Sequence, residues 1–408
     1  MKKCGFTIHY SWIVCAGCTL LLFCTMGLTS SGFSVYMPYL VKVGDLTSTQ
    51  GSAIITIRSL FSMIALLPAQ RIYEKVGLRV GAMLSVLGAA IGMTLFGISD
   101  SFAGYCCSAA AIGIVNGIGG MYLVSLIIPR WFTSYASLAL GICSAGSAIA
   151  ATIIPPVITA IIQKASLRIA FFAEAWFLAV SAVTVYGTIR GSPIDKGIEA
   201  FKSTDEHLMS KETIHGNSMS PVIEAIMVVA FFVMHGCTYS TYHHLSLLYS
   251  RAGFASVTIS YLLSISGLIL VLGKFLLGFF ADVKGLYRTG YLFFGILFIG
   301  CVLCAFADYQ IVGLAVISVI FLGFGLAIGT VGVSLYAKKM SAENDYPVTL
   351  KRFQLACQLG ALAFSPIPGV ICDLTGSYTL GYALFGGLIV MVLSIFQICY
   401  TKTCRATH

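Results

Sequence analysis

A bilayer core about 30 Å thick is crossed by roughly 20 apolar residues in a helix, and this chain repeats runs of that length from one end to the other. Divided at their polar breaks, the runs number twelve. The first six cover about 11–34, 50–72, 80–98, 102–128, 137–162 and 169–189. The second six cover about 222–246, 256–280, 289–306, 311–336, 353–371 and 380–400. Soluble domains carry about 25% charged residues; this chain has 10%, against 58% hydrophobic, which excludes a water-solvated globular enzyme. The 42 glycines agree, since small residues let membrane helices approach closely. The first run exceeds the 7–15 apolar residues of a secretory leader, so it is read as a retained span. The expected fold class is all-α integral membrane.

Orientation follows from the basic residues. With the N-terminus in the cytoplasm, inside segments hold 18 Lys and Arg, whereas outside segments hold Lys42, Lys164, Arg168 and Arg251. Positive charge accumulates on the cytoplasmic side of membrane proteins, so both termini are expected there, in the cell (inner or plasma) membrane.

One long polar segment, Arg190 to Pro221, holds Asp195, Lys196, Glu199, Asp205, Glu206, Lys211 and Glu212. It divides the chain into an N-terminal six-helix bundle (1–189), a cytoplasmic linker (190–221) and a C-terminal bundle (222–408). An internal repeat supports the division. Glu74-Lys75-Val76-Gly77 follows the second span, and Asp282-Val283-Lys284-Gly285 follows the eighth, 208 positions later. Gly113 and Gly117 of the fourth span are matched by Gly325 and Gly329 of the tenth, 212 later. Pro155-Pro156 of the fifth is matched by Pro366 and Pro368 of the eleventh, 211 later. Two halves related about the membrane normal are the design of carriers whose site lies between them.

These landmarks resemble the major facilitator superfamily. Gln70-Arg71-Ile72-Tyr73-Glu74-Lys75-Val76-Gly77-Leu78-Arg79 is similar to its loop signature G-x-x-x-D-R-x-G-R-R. Glu74, Lys75, Gly77 and Arg79 fit, and Gln70 replaces the first glycine. The second-half copy, Gly278 to Gly285, keeps both glycines and the acid, Asp282. An acid at a helix tip can pair with a cation or a neighbouring helix N-terminus in one conformation and release it in the other. Within the superfamily, Arg130-Trp131-Phe132, the stretch Leu140 to Ser147 and Pro155-Pro156 resemble the fourth-to-fifth-helix region of monocarboxylate transporters and the oxalate/formate antiporter group. Ser365-Pro366-Ile367-Pro368-Gly369 with Asp373 to Tyr378 resembles their helix-11 ending, and Pro193 to Gly197 their turn after helix 6. The resemblance implies twelve helices in two pseudo-symmetric bundles, and an alternating-access carrier in which Gly/Pro-rich spans five and eleven supply the bends.

Two basic residues fall well inside spans: Arg58 in the second and Lys274 in the eighth. The nearest intramembrane acids are Glu174, near the outer end of span six, and Glu224, near the inner end of span seven. An unpaired cation at the bilayer centre costs about 2.5–3.5 kcal/mol on insertion scales, so a bound anion is the simplest reason for both. Lys274 also lies four residues before Gly278, where the carboxylate-carrying relatives place a substrate-binding arginine. A lysine there keeps the charge and loses the bidentate fork. Relatives that couple to protons place an aspartate one turn earlier, where this chain has Leu270, and a lysine after a proline late in the first helix, where Pro38 precedes Tyr39. Arg58 lies about 12 Å from the outer end of its span and Lys274 about 9 Å from the inner end of its own, at 1.5 Å per residue. The two need not hold one ligand.

Further candidates are polar residues near mid-span. His235 and Tyr239 share a helix face at i and i+4; Gln358 lies at about the depth of Lys274; Asn116 sits between the glycines of its GxxxG, where helix packing is the plainer role. Cys15/Cys18 and Cys301/Cys304 lie inside spans, without the second ligand pair of a zinc site or the soluble βαβ context of a redox motif. No metal, cofactor or nucleic-acid partner is expected. The expected function is secondary transport of a small organic anion, a mono- or dicarboxylate, by a monomer in contact with membrane lipid, reset by a proton or a countersubstrate anion. The alternatives are export of a hydrophobic or cationic solute, and a membrane sensor that moves nothing.

Overall fold

The computed structural model describes residues 9–31, 33, 36, 39, 40, 48–202, 219–342 and 344–404. Lys2, Lys3, Pro38, Lys42, Asp205, Glu206, Lys211, Glu212 and Arg405 lie outside them, as do the side chains of Pro155, Pro156, Asp195, Lys196 and Asp373.

The described chain is helical, with one isolated bridge between Phe132 and Phe201 and no strand. Eleven helical segments are long and apolar enough to cross a bilayer. Twelve crossings are completed by the second span, Ser48–Leu66, whose described apolar part is Thr56–Leu66. Ile91, Trp176, Val183 and Val229 leave 60% or more of their surface uncovered on the outside of the bundle. A soluble monomer rarely exposes so much contiguous apolar area; against lipid it is the required surface. An even number of crossings puts Tyr10, Cys404, Arg190 and Ser220 on one side, called here the near face; the other is the far face.

Several spans differ from their sequence outlines. The second ends at Leu66, and Glu74 and Lys75 of the signature stand on a separate short helix, Ala69–Val76, after Pro68, while Arg79 lies at the start of span three. Pro68 ends the span because proline has no N–H to donate. The first span is α-helical over Tyr10–Leu22 and continues as a π-helix over Phe23–Ser31. The fourth is Phe102–Gly119 followed, after Gly120, by Met121–Trp131. The tenth breaks at the matching place: Val312–Gly325, a tight turn Leu326–Gly329, then Val331–Met340. The eleventh divides into Tyr346–Phe364 and Ile367–Thr375 at Pro366. The fifth, Ala136–Lys164, runs unbroken through Pro155 and Pro156; membrane helices tolerate proline because neighbouring groups re-satisfy the freed carbonyls. The interruptions therefore fall in spans four, ten and eleven, whereas span five is a continuous helix.

Packing repeats with the sequence offset. In the first half, span one packs on five, two on four and three on six; in the second, seven packs on eleven, eight on ten and nine on twelve. The halves meet mainly where five packs on eight, and also where two meets eleven. Close approach of five and eight depends on glycine: a Cβ at Gly141 would collide with the carbonyl of Lys274, and one at Gly278 with the carbonyl of Ser137. The two signature loops share a backbone, with φ 81° and ψ 153° at Gly77 and φ 80° and ψ 155° at Gly285. That region is nearly closed to residues with a side chain, which explains glycine at both.

Candidate functional site

A cavity of about 900 Å³, counting its open mouth, lies between the halves. Spans one, two, four and five line one wall, and spans seven, eight, ten and eleven the other. All six residues singled out by the sequence reach it: Arg58 and Asn116 from the first half, His235, Tyr239, Lys274 and Gln358 from the second. Arg58 and Lys274, placed by sequence at different depths, border the same space. Both side chains are long enough to carry their charge well away from their Cα atoms.

Arg58 is 8% exposed and Lys274 3%. Neither has a carboxylate within salt-bridge distance among the described residues, where the ion pairs are Arg168–Asp100 and Arg352–Glu224. Arg58 Nη1 donates to the carbonyl of Thr29 at 2.9 Å, and its guanidinium lies 5.5 Å from the centre of the Phe33 ring. The Thr29 carbonyl belongs to the π-helical stretch, whose altered ladder re-aims backbone groups. Lys274 Nζ crosses between the halves, donating to the Ser144 carbonyl at 3.1 Å and to Ser147 Oγ at 3.0 Å. An ammonium has three donors and a guanidinium five, so each cation has capacity left for a ligand.

The remaining lining mixes hydroxyl and amide side chains with the apolar Leu22, Met26, Met121 and Val333, and carries no acid. Asn116 Oδ1 accepts from Thr29 Oγ1 at 2.9 Å, so this residue both packs and faces the space. His235 Nδ1 lies 2.9 Å from the Gly329 carbonyl, in the interrupted part of the tenth span. A carbonyl only accepts, so Nδ1 carries the proton and Nε2 of the neutral ring is an acceptor. The His235, Tyr239 and His243 rings follow one another along the seventh span, with centroids 6.2 and 4.1 Å apart. They lead from the cavity toward the far face, where Tyr242 and His243 line its extension.

Residues that the sequence reading passed over include Ser30, Ser59, Ser62, Ser144, Ser147, Thr330 and Gln354. A signal existed: Ser59/Ser62 and Ser144/Ser147 are spaced i, i+3, and Gln354/Gln358 i, i+4, each pair on one helix face.

On the near face the halves are joined. Asp282 accepts from the backbone N–H of Leu138 at 2.7 Å and of Ser137 at 3.3 Å, in the first turn of span five. That helix has no side-chain cap of its own, so an acid from the opposite half satisfies N–H groups that every helix start leaves open. Ser125 and Ser334, 209 positions apart in sequence, share a hydrogen bond of 2.6 Å. Tyr346 Oη donates to the Ser125 carbonyl at 2.9 Å, Tyr122 Oη to the Pro347 carbonyl at 3.2 Å, and Lys351 Nζ to the Leu67 carbonyl at 3.4 Å. The structure is therefore closed at the near face.

The first signature loop is less engaged. Glu74 is exposed and accepts from Gln70 Nε2 at 3.2 Å, Lys75 is exposed, and Arg79 Nε donates to the Tyr186 carbonyl at 3.0 Å while stacking on its ring. At the start of the eleventh span the second helical residue, the place that Ser137 holds in span five, is Pro347, which has no N–H to offer Glu74. Gly285 shapes the second loop by its backbone alone. Pro366 and Pro368 mark the division of the eleventh span and do not reach the cavity lining.

The profile of the Major Facilitator Superfamily matches residues 19–365. Among curated relatives, the MFS-type transporter hasB of Aspergillus fumigatus is 24% identical, covering 94% of this chain and 87% of its own length. Monocarboxylate transporter 12 of Rattus norvegicus is 21% identical, covering 97% and 86%. Among solved structures, the human organic anion transporter MFSD10 (TETRAN) superposes with a TM-score of 0.75 at 15% identity, over 95% of this chain and 99% of that one. FucP in the outward conformation gives 0.72 at 14% identity, over 96% and 99%. A shared path of twelve helices, a matching order of packing and a profile that spans most of the sequence lead to one assignment: the chain belongs to the Major Facilitator Superfamily.

Proposed function

We propose that this chain is a secondary active transporter that carries a small organic anion, a mono- or dicarboxylate, by alternating access. The observation that supports this most is the pair of buried cations, Arg58 and Lys274, facing one cavity with no carboxylate beside either among the described residues. Two cations cost about 2.5–3.5 kcal/mol each at membrane depth on insertion scales, and an anion lying between them offsets both costs at once. The surrounding hydroxyls and amides suit carboxylate oxygens. The lining has no acidic side chain, which disfavours the rival reading of a carrier for cationic solutes. Two distant relatives, named as a monocarboxylate transporter and an organic anion transporter, point the same way.

In the proposed cycle the anion enters from the far face and meets Arg58 and Lys274. It competes with Ser144 and Ser147 for the ammonium, whose hydrogen bonds tie the halves together at cavity depth. Release of that tether, followed by parting of Asp282 from the fifth span, opens the near face. The positive-inside distribution supports a cytoplasmic near face in a cell-membrane protein. The carrier is proposed to act as a monomer, with bundle boundaries at 1–189 and 222–408. A Lys274→Gln variant in proteoliposomes tests the reading: saturable carboxylate uptake should be lost while the folded protein remains. Uptake with unchanged saturation in that variant would refute the role of Lys274.

A further inference from the structure

Away from the cavity, the first half buries one acid that the proposed cycle does not use. Glu174, in span six (Leu167–Thr188), is 4% exposed. Its Oε2 accepts from Tyr36 Oη at 2.6 Å, and its Oε1 is buried with no hydrogen-bond partner among the described residues. The surroundings are aromatic: Tyr36 stacks on Phe171 with centroids 4.3 Å apart, and Phe96 lies 5.5 Å from Phe171 and 4.9 Å from Phe33. Seven residues separate Glu174 from the far-face start of its helix, a depth of about 10 Å at 1.5 Å per residue.

Among the described residues, the titratable groups that face it are Cys24, in the π-helical part of the first span, and Tyr36, beyond that part's end. Spans three and five, which also pack on span six, bring no charge to it. Their charged residues are Arg79, at the opposite end of span three, and Lys164, at the end of span five. Arg168, on the same helix, is exposed and paired with Asp100. The nearest cation of the cavity is Arg58, beyond two rings: its guanidinium lies over Phe33, which lies 5.8 Å from Tyr36.

We infer that Glu174 is a proton-binding site of the carrier, neutral in the state closed at the near face, and that its proton couples anion movement to a pH gradient. Among the described residues, an ionised carboxylate here keeps one hydrogen bond and no cation, a cost that proteins avoid by neutralising the group. Intramembrane carboxylates are rare and mark ion paths and proton relays. The step is an acid dissociation: the carboxyl O–H bond breaks, its electron pair stays on the carboxylate, and the proton passes to water. A negative Glu174 lowers the positive potential that Arg58 gives the cavity, and protonation restores it. Proton and anion therefore favour each other's binding, and by linkage the effect is mutual.

This inference rests on the transport reading for its consequence, but not for its first test. Infrared difference spectra of the detergent-solubilised wild type, between neutral and alkaline solution, should contain the carbonyl stretch of a protonated carboxylic acid. Glu174→Gln should remove that band, and Tyr36→Phe, which keeps the acid and deletes its donor, should shift it. A band unchanged in Glu174→Gln would overturn the inference. In proteoliposomes, wild-type accumulation of labelled lactate or oxalate should rise several-fold under an inward proton gradient. Glu174→Gln should exchange the same anion with no response to the gradient. A gradient response of wild-type size in Glu174→Gln would also overturn it. A wild type that shows the band and moves no carboxylate would support the proton site while removing the proposed substrate class.

Discussion

Asp282→Ala deletes the acid that one half lends to the first turn of the other. The bond to Leu138 at 2.7 Å is short and charge-assisted, whereas the bond to Ser137 at 3.3 Å lies beyond the usual range. A hydrogen bond to a charged acceptor contributes about 1.5–3 kcal/mol, and a carboxylate at a helix N-terminus adds about 0.3–1 kcal/mol through the dipole. Water takes over both N–H groups once the near face opens, so the lower end applies: about 2 kcal/mol in favour of the closed state. At 1.4 kcal/mol per factor of ten, that is about a 30-fold change in the opening equilibrium. Amide hydrogen exchange reads it directly, because local opening sets the exchange rate of protected amides. A peptide covering 133–141 should exchange about 30-fold faster in the variant, and Asp282→Asn, which keeps an acceptor without the charge, should fall between. The peptide covering Glu74 should not change, since that loop makes no equivalent contact. Unchanged exchange at 133–141, or an equal rise in both peptides, would refute a local latch.

Gly278→Leu places carbon against the carbonyl of Ser137; overpacking of this kind costs about 1–3 kcal/mol, and should lower the thermal midpoint while raising exchange along spans five and eight. Ser147→Ala removes one of two acceptors of the Lys274 ammonium, a loss of about 1.5–3 kcal/mol for a bond to a charged group; anion binding should then tighten, since the ligand meets less competition, and calorimetry with oxalate would detect it. Arg58→Lys keeps the charge and loses the planar fork; it should weaken anion binding by a smaller factor than Arg58→Gln, in the same calorimetric titration.

The twelve apolar runs, the offset of 208 to 212 positions and the paired glycines of the two loops were enough to read the fold, because each is a local requirement of the bilayer or the backbone. The breaks were harder. Gly120 and the Leu326–Gly329 turn interrupt spans whose hydropathy is continuous, and hydropathy carries no information about which hydrogen bonds a helix gives up. The π-helical stretch Phe23–Ser31 was invisible for the same reason, and with it the carbonyl of Thr29 that holds Arg58. Charges in the membrane stood out in the sequence because their cost is large. Their meeting in one cavity did not, because residue depth counts Cα positions and long side chains depart from them. Serines 144 and 147 carry a fainter signal, their i, i+3 spacing on one helix face, and it does not reveal that the carbonyl of one and the hydroxyl of the other receive Lys274.

Counterflow in proteoliposomes tests the central claim most directly. Vesicles loaded with unlabelled formate, oxalate, lactate or pyruvate are exposed to a trace of the labelled anion, with and without an imposed pH gradient. The account predicts transient accumulation of at least one of them, driven by internal anion and lost in Lys274→Gln. Folded wild-type protein that moves none of the four would contradict a carboxylate cargo.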